Sequence, residues 1–159
     1  MKKVINLIQD LATPHNNILI DQLVRQSDVD LNLWYAEEAD KIRYNWENDL
    51  SNQCIPARFY SKRINKSFLK YCLKQKNEYY IIVGWMNINT ILLHILFFLL
   101  RRPFNHWTDL PNPNQSDRLL RNRLLRWLAY RILRFSHCRV FGVGKMTLET
   151  FVKWGFPKK

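Results

Sequence analysis

The residues best placed to do chemistry stand at the ends of two apolar runs. Glu78–Val83 is short, apolar and rich in β-formers, and Gly84-Trp85 ends it. Pro103 opens a second run that ends in Trp107-Thr108-Asp109. A glycine at a strand end lets a ligand approach the backbone closely. A tryptophan beside it can stack on a ring or pack against the next helix. The Asp109 carboxylate can hydrogen-bond a hydroxyl or accept its proton; it can equally cap a turn before Pro111. His106 falls inside the second run by alternation and reads as structural.

Three further clusters carry polar chemistry. His15, Asn16 and Asn17 follow the first apolar run. A helix N-terminus behind them would favour an anion, or they form an ordinary loop with an Asn cap. Gly142, Gly144 and Lys145 precede the last helix and can cradle an anion, with Lys145 adding charge. The upstream glycine of a P-loop is missing, so a tight turn is the competing account. Arg118, Arg121, Arg123, Arg126, Arg131 and Arg134 share one segment with Leu120, Leu124, Trp127, Leu128 and Ile132. Such a basic amphipathic helix can lie on anionic lipid, with arginines at headgroups and Trp127 at the interface. It can also pack its apolar side on a sheet and leave the arginines in water.

The elements that must position these residues alternate. Lys3–Ile8, Val29–Ala36, Ala57–Ile64, Glu78–Val83, the run after Pro103 and Cys138–Val143 read as strands. Asn17–Arg25, Lys66–Lys74, Asn87–Leu100, a long segment capped by Ser116-Asp117 and ending near Phe135, and Thr147–Lys153 read as helices. Thr13–Asn17 is a polar break, and Glu37–Pro56 is polar, acidic and irregular. Strand, crossover helix and strand from Glu78 to Asp109 form a right-handed unit of a parallel sheet. The whole pattern predicts an α/β fold: a single Rossmann-like three-layer domain with a mostly parallel sheet. Ligands of such sheets collect at the carboxyl ends of the strands, where Gly84, Trp85 and Asp109 lie.

Length and composition set the bounds. A chain of 159 residues suits one domain, and 47% hydrophobic residues argue for a globular core. A formal charge of +12 implies an anionic partner or surface. Cys54, Cys72 and Cys138 form no CxxC pair and read as reduced, buried thiols. The basic start resembles a signal peptide, but Asn6, Gln9 and Asp10 break its apolar run. Ile91–Leu100 is shorter than the ~20 residues that span a bilayer. These features predict a cytoplasmic protein, and no spacing suggests a metal or cofactor.

The order of these elements and the residues at the strand ends resemble the N-terminal half of a GT-B glycosyltransferase, closest to the large retaining family 4. The resemblance is carried by Gly84-Trp85 before an Asn-rich helix start and by the Arg-Arg-Pro step into Trp107-Thr108-Asp109. The Arg/Leu-rich helix adds to it, as does Val140–Lys145 followed by a helix and Trp154-Gly155-Phe156-Pro157. It covers nearly the whole chain and thins between Glu37 and Pro56. The family's Gly-rich first loop is replaced here by Ala12–Asn17.

The resemblance implies an acceptor-binding domain spanning residues 1–159. Gly84, Trp85, Asn87, Trp107, His15 and Asn16 would bind a glycan or lipid-linked acceptor, and Asp109 would be catalytic. Gly144 and Lys145 would hold an anion or phosphate. Arg118, Arg121, Arg126, Trp127 and Arg131 would contact an anionic membrane, at its inner face. The nucleotide-sugar donor would require the family's C-terminal domain, which does not follow Pro157 here, or a partner chain supplying it. On this reading the chain is a truncated or split half that lacks turnover alone. Two alternatives stand beside it. One is a non-catalytic remnant or partner subunit. The other is a basic domain for nucleic acid or anionic surfaces, permitted by 14% aromatic residues and the charge, though no nucleic-acid motif is present.

Overall fold

The computed structural model describes residues 2–12, 14–26, 28–37, 55–84, 87–108, 120–153 and 155–156. The fold is α/β. Its strands are β1 (Lys3–Leu11), β2 (Val29–Glu37), β3 (Ala57–Phe59), β4 (Tyr79–Val83), β5 (Phe104–Thr108) and β6 (Cys138–Gly142). Its helices are α1 (Pro14–Gln26), α2 (Lys66–Lys74), α3 (Ile88–Leu99), α4 (Leu120–Phe135) and α5 (Lys145–Lys153). The strands form one sheet in the order β3-β2-β1-β4-β5-β6, and the described registers are all parallel. This is the Rossmann-like architecture expected from the alternation of elements. The chain divides into two compact units, Met1–Ile91 and Leu92–Lys159.

In the first unit β1 is the central strand. It pairs with β2 on one edge, Leu7 opposite Leu33, and with β4 on the other, Ile8 opposite Ile82. A strand paired on both edges and covered on both faces is buried without alternation, and Asn6, Leu7, Ile8 and Gln9 are all buried in sequence. The apolar residues among them meet Leu33, Tyr35, Tyr80 and Ile82 in the core. α2 closes the unit with Phe68 and Cys72. The Phe68 ring stacks on Tyr60 at 4.4 Å, and Trp34 lies 5.1 Å from both Phe68 and Tyr71. Full burial of a side chain such as Phe68 contributes about 2–3 kcal/mol. Asn6 is tolerated at the centre because it is satisfied: Trp34 Nε1 donates to its Oδ1, and its Nδ2 donates to Glu78.

In the second unit β5 and β6 pair from Phe104–Cys138 to Thr108–Gly142. α3 buries Leu93, His94 and Phe97, with the His94 and Phe97 rings against Phe104. α4 buries Ile132 and Leu133, and α5 buries Phe151, which meets Tyr130 and Phe156 edge-on.

Several boundaries differ from the sequence expectations, and β1 runs three residues past Ile8, to Leu11, so Gln9 and Asp10 belong to the strand. α1 begins at Pro14, so His15, Asn16 and Asn17 stand in the first helical turn and not in a loop. Proline has no N–H to lose at the first helical position and presets φ there. β3 spans three residues and does not run to Ile64; Ser61 takes φ 69°, which a strand cannot continue. α5 begins two residues before Thr147, at Lys145, directly after Gly144 at φ 81°.

Candidate functional site at the carboxyl ends of β1 and β4

Strand order reverses between β1 and β4. From β1 the chain runs outward to β2 and β3, then returns to β4. Parallel sheets of this kind take ligands in the crevice at such a reversal, outside the carboxyl ends of the strands. In this chain those ends carry Gln9, Asp10 and Gly84, all within the first unit.

The side chains there form one connected polar cluster. Tyr60, at the end of β3, donates its hydroxyl to the Gln9 carbonyl at 3.0 Å. Asn87 Nδ2 donates to the Tyr60 oxygen at 3.0 Å and also, closely, to Asp10 Oδ1. On the side of α1, Asn16 Nδ2 donates to Gln9 Oε1. Gln9 is 2% exposed, and its Nε2 has no hydrogen-bond partner among the described residues. A buried amide N–H without a partner costs about 1–3 kcal/mol, which a ligand oxygen would recover.

Burial sets the electrostatics. Desolvation pushes the Asp10 carboxyl above its ordinary value, against the Asn87 hydrogen bond and the Lys62 charge that pull it down; Glu37 pushes it further up. Lys62 and Glu37 themselves form an ion pair at the same end of the sheet. Burial also lifts the Tyr60 hydroxyl well above its ordinary value, so Tyr60 stays a neutral donor. A desolvated carboxylate and an unpaired amide donor can bind a ligand that offers both hydroxyl protons and acceptor oxygens.

The expected site residues fall into different places. Gly84 ends β4 with φ 65°, a left-handed conformation suited to glycine. Asn87 is buried, and all its polar atoms work within the protein. Its Oδ1 accepts the Asn89 and Thr90 N–H groups at the start of α3, and its Nδ2 holds Asp10 and Tyr60. It therefore positions the cluster and caps a helix. Asn16 reaches the cluster through Gln9, whereas nothing of the His15 side chain is described. Trp107 lies half-buried on β5 opposite Phe141, in the second unit. Gly144 opens α5, and Lys145 is exposed and extends towards Glu149, 3.9 Å away. Trp85, Asp109 and Arg118 lie outside the described residues; Arg121 and Arg126 are described only as helical backbone, while Trp127 and Arg131 are exposed on α4.

Gln9, Asp10 and Tyr60 were missed. The first two were visible as a polar pair ending the apolar run Val4–Ile8. Tyr60 carried no signal, because its role depends on a turn that only folding creates. The structural reading of His106 agrees with its burial: it sits 2.9 Å from His94 across the two rings. Cys72 is buried and Cys138 half-buried, while Cys54 lies outside the described residues.

Among the described residues, no group of three or more His, Cys, Asp or Glu could hold a metal ion. Among them, too, no helix is long and apolar enough to cross a membrane. No family model, curated protein or solved structure matches the chain.

Proposed function

We propose that this chain is the acceptor-binding half of a GT-B-type glycosyltransferase, working at the inner face of the cell membrane on a glycan or lipid-linked acceptor. One observation carries the reading. At the strand reversal of a Rossmann-like sheet, the end of β1 presents the Gln9 amide, without a partner among the described residues, on the side of Asn16 and the desolvated Asp10 carboxyl on the side of Asn87. A saccharide carries several hydroxyls, each able to donate and accept, so one molecule at the end of β1 can offer an acceptor to Gln9 and a donor to Asp10. Sugar transfer needs an oriented acceptor hydroxyl, an activated donor and a stabilised leaving phosphate. This chain supplies the first, and a donor-binding domain or partner chain would supply the nucleotide-sugar. Gly84, at the end of β4 in the same unit, is proposed to let the acceptor approach the backbone closely.

The test is saturation-transfer NMR with the folded protein and a panel of glycans, polyprenyl-linked saccharides and nucleotide-sugars. The expected result is saturation of glycan protons and none of the nucleotide-sugar, with the glycan signal lost in Asp10→Ala. A folded protein that binds no saccharide overturns the proposal.

A further inference from the structure

The charge of this protein is segregated. The unit Leu92–Lys159 holds 13 of the 25 Lys and Arg residues but only 3 of the 13 Asp and Glu, so +10 of the +12 formal charge lies there. α4 contains no acidic residue at all.

That helix also turns its apolar residues the wrong way for a soluble surface. Among its residues whose side chains are described, Ile132 and Leu133 are the buried ones. Leu124, Trp127, Leu128 and Phe135 are exposed, at 63%, 53%, 42% and 59%. Positions 124, 127, 128, 131 and 135 follow the spacing of a single helical face. Arg131 sits in the middle of it, its guanidinium 5.2 Å from the Trp127 ring and 5.6 Å from Phe135. Arg134 flanks Phe135 at 5.7 Å. An all-polar face would suit water, and an all-apolar one would suit a protein core. A stripe of leucine and aromatic side chains carrying arginines suits the boundary between lipid headgroups and acyl chains.

We infer that the Leu124–Trp127–Leu128–Arg131–Phe135 face of α4 is the surface that seats this protein on an anionic bilayer. The helix lies in the plane of the interface, its apolar side chains below the headgroups and its arginines at the lipid phosphates. Charge decides the occupant. A second copy of the same face would bring arginine against arginine, whereas an acidic lipid surface neutralises the segregated charge. The inference rests on the reading above only in placing the protein at a membrane; saccharide binding and vesicle binding fail separately.

The experiment is co-sedimentation with vesicles of phosphatidylcholine alone and of phosphatidylcholine mixed with phosphatidylglycerol. Binding to the mixed vesicles only, weakened but not abolished by salt, is expected. Arg131→Gln should weaken it about five-fold. The triple variant Leu124→Ser, Trp127→Ser, Phe135→Ser should abolish it with an unchanged circular dichroism spectrum. Because these side chains are exposed, the fold is expected to survive. Equal binding by the triple variant overturns the inference, as does equal binding to neutral vesicles. So does a preference for single-stranded oligonucleotide that the triple variant retains, which would make nucleic acid the occupant. Dimerisation through this face, lost in the triple variant without any vesicle binding, overturns it as well.

Discussion

Asp10 and His106 are two ionisable groups whose burial works in opposite directions on pH-dependent stability. Asp10 has a folded-state carboxyl above its ordinary value. The native state therefore holds its proton more tightly than the unfolded chain, and ionising it costs stability as pH rises through the acidic range. Asp10→Asn should leave thermal stability unchanged or raise it, since an amide oxygen can still accept from Asn87. The same variant should lose saccharide binding if the carboxylate accepts ligand hydroxyls. His106 lies at the other extreme: burial first, then neighbouring His94, pulls it down to about 3. Its stabilising neutral form is fully present above the ordinary histidine value of about 6.5 and is lost as pH falls from there towards 3, at up to roughly 1.4 kcal/mol per pH unit. Urea unfolding between pH 7 and pH 4 should show that slope, and His106→Gln should flatten it. Alternation in the sequence put His106 inside a strand, and its burial against His94 came with the helix and strand that enclose it.

At the level of elements, the link between β4 and α3 concentrates the most structure in the fewest residues. Asn87 caps α3 with one end of its amide and holds Asp10 and Tyr60 with the other. Asn89, fully buried, ties α3 to the turn after β3 through the Ser61 and Arg63 carbonyls and the Asn65 N–H. Asn87→Ala removes a cap and leaves buried partners unsatisfied, a loss of about 3 kcal/mol measurable by chemical denaturation. Asn87→Asp separates the two roles. Aspartate caps a helix as well as asparagine does, but here it would lose both donors and set a second carboxylate against Asp10. It should therefore be as destabilised as Asn87→Ala near neutral pH and recover in mild acid. Gly84→Ala should cost about 1 kcal/mol from φ 65° alone. The strand, turn and helix here were readable from the apolar run and its closing glycine. The double role of Asn87 was not, since its partners lie 77 and 27 residues away.

Across the whole molecule, β1 lies inside the sheet between β2 and β4 with four consecutive buried residues, and its amides open only with the unit that contains it. In hydrogen exchange the Asn6–Gln9 amides should be the slowest of the first unit, and those of the short strand β3 should exchange much earlier. Comparable rates in β1 and β3 would contradict the burial pattern. Charge, by contrast, is unevenly shared: the second unit carries +10 of the +12, and five of its arginines stand on α4 with no acidic residue among them.

The α/β class, the alternation of strands and helices and the basic helix ending near Phe135 were legible in the chain, because each rests on local periodicity and composition. Periodicity placed an apolar stripe on α4 but could not tell which side of the helix would be covered; the exposure of Leu124, Trp127 and Phe135 depends on what the other elements reach. Likewise, Gln9 and Asp10 were polar residues at the end of an apolar run until β4 came to lie beside β1. That pairing brought Asn87 to them, and β3 beside β2 brought Tyr60, so that the carboxyl is buried and one amide has no partner among the described residues. Local sequence sets which residues are hydrophobic, charged or turn-forming. Desolvation and satisfaction of polar groups are properties of neighbours distant in the chain, and they arise when the sheet closes.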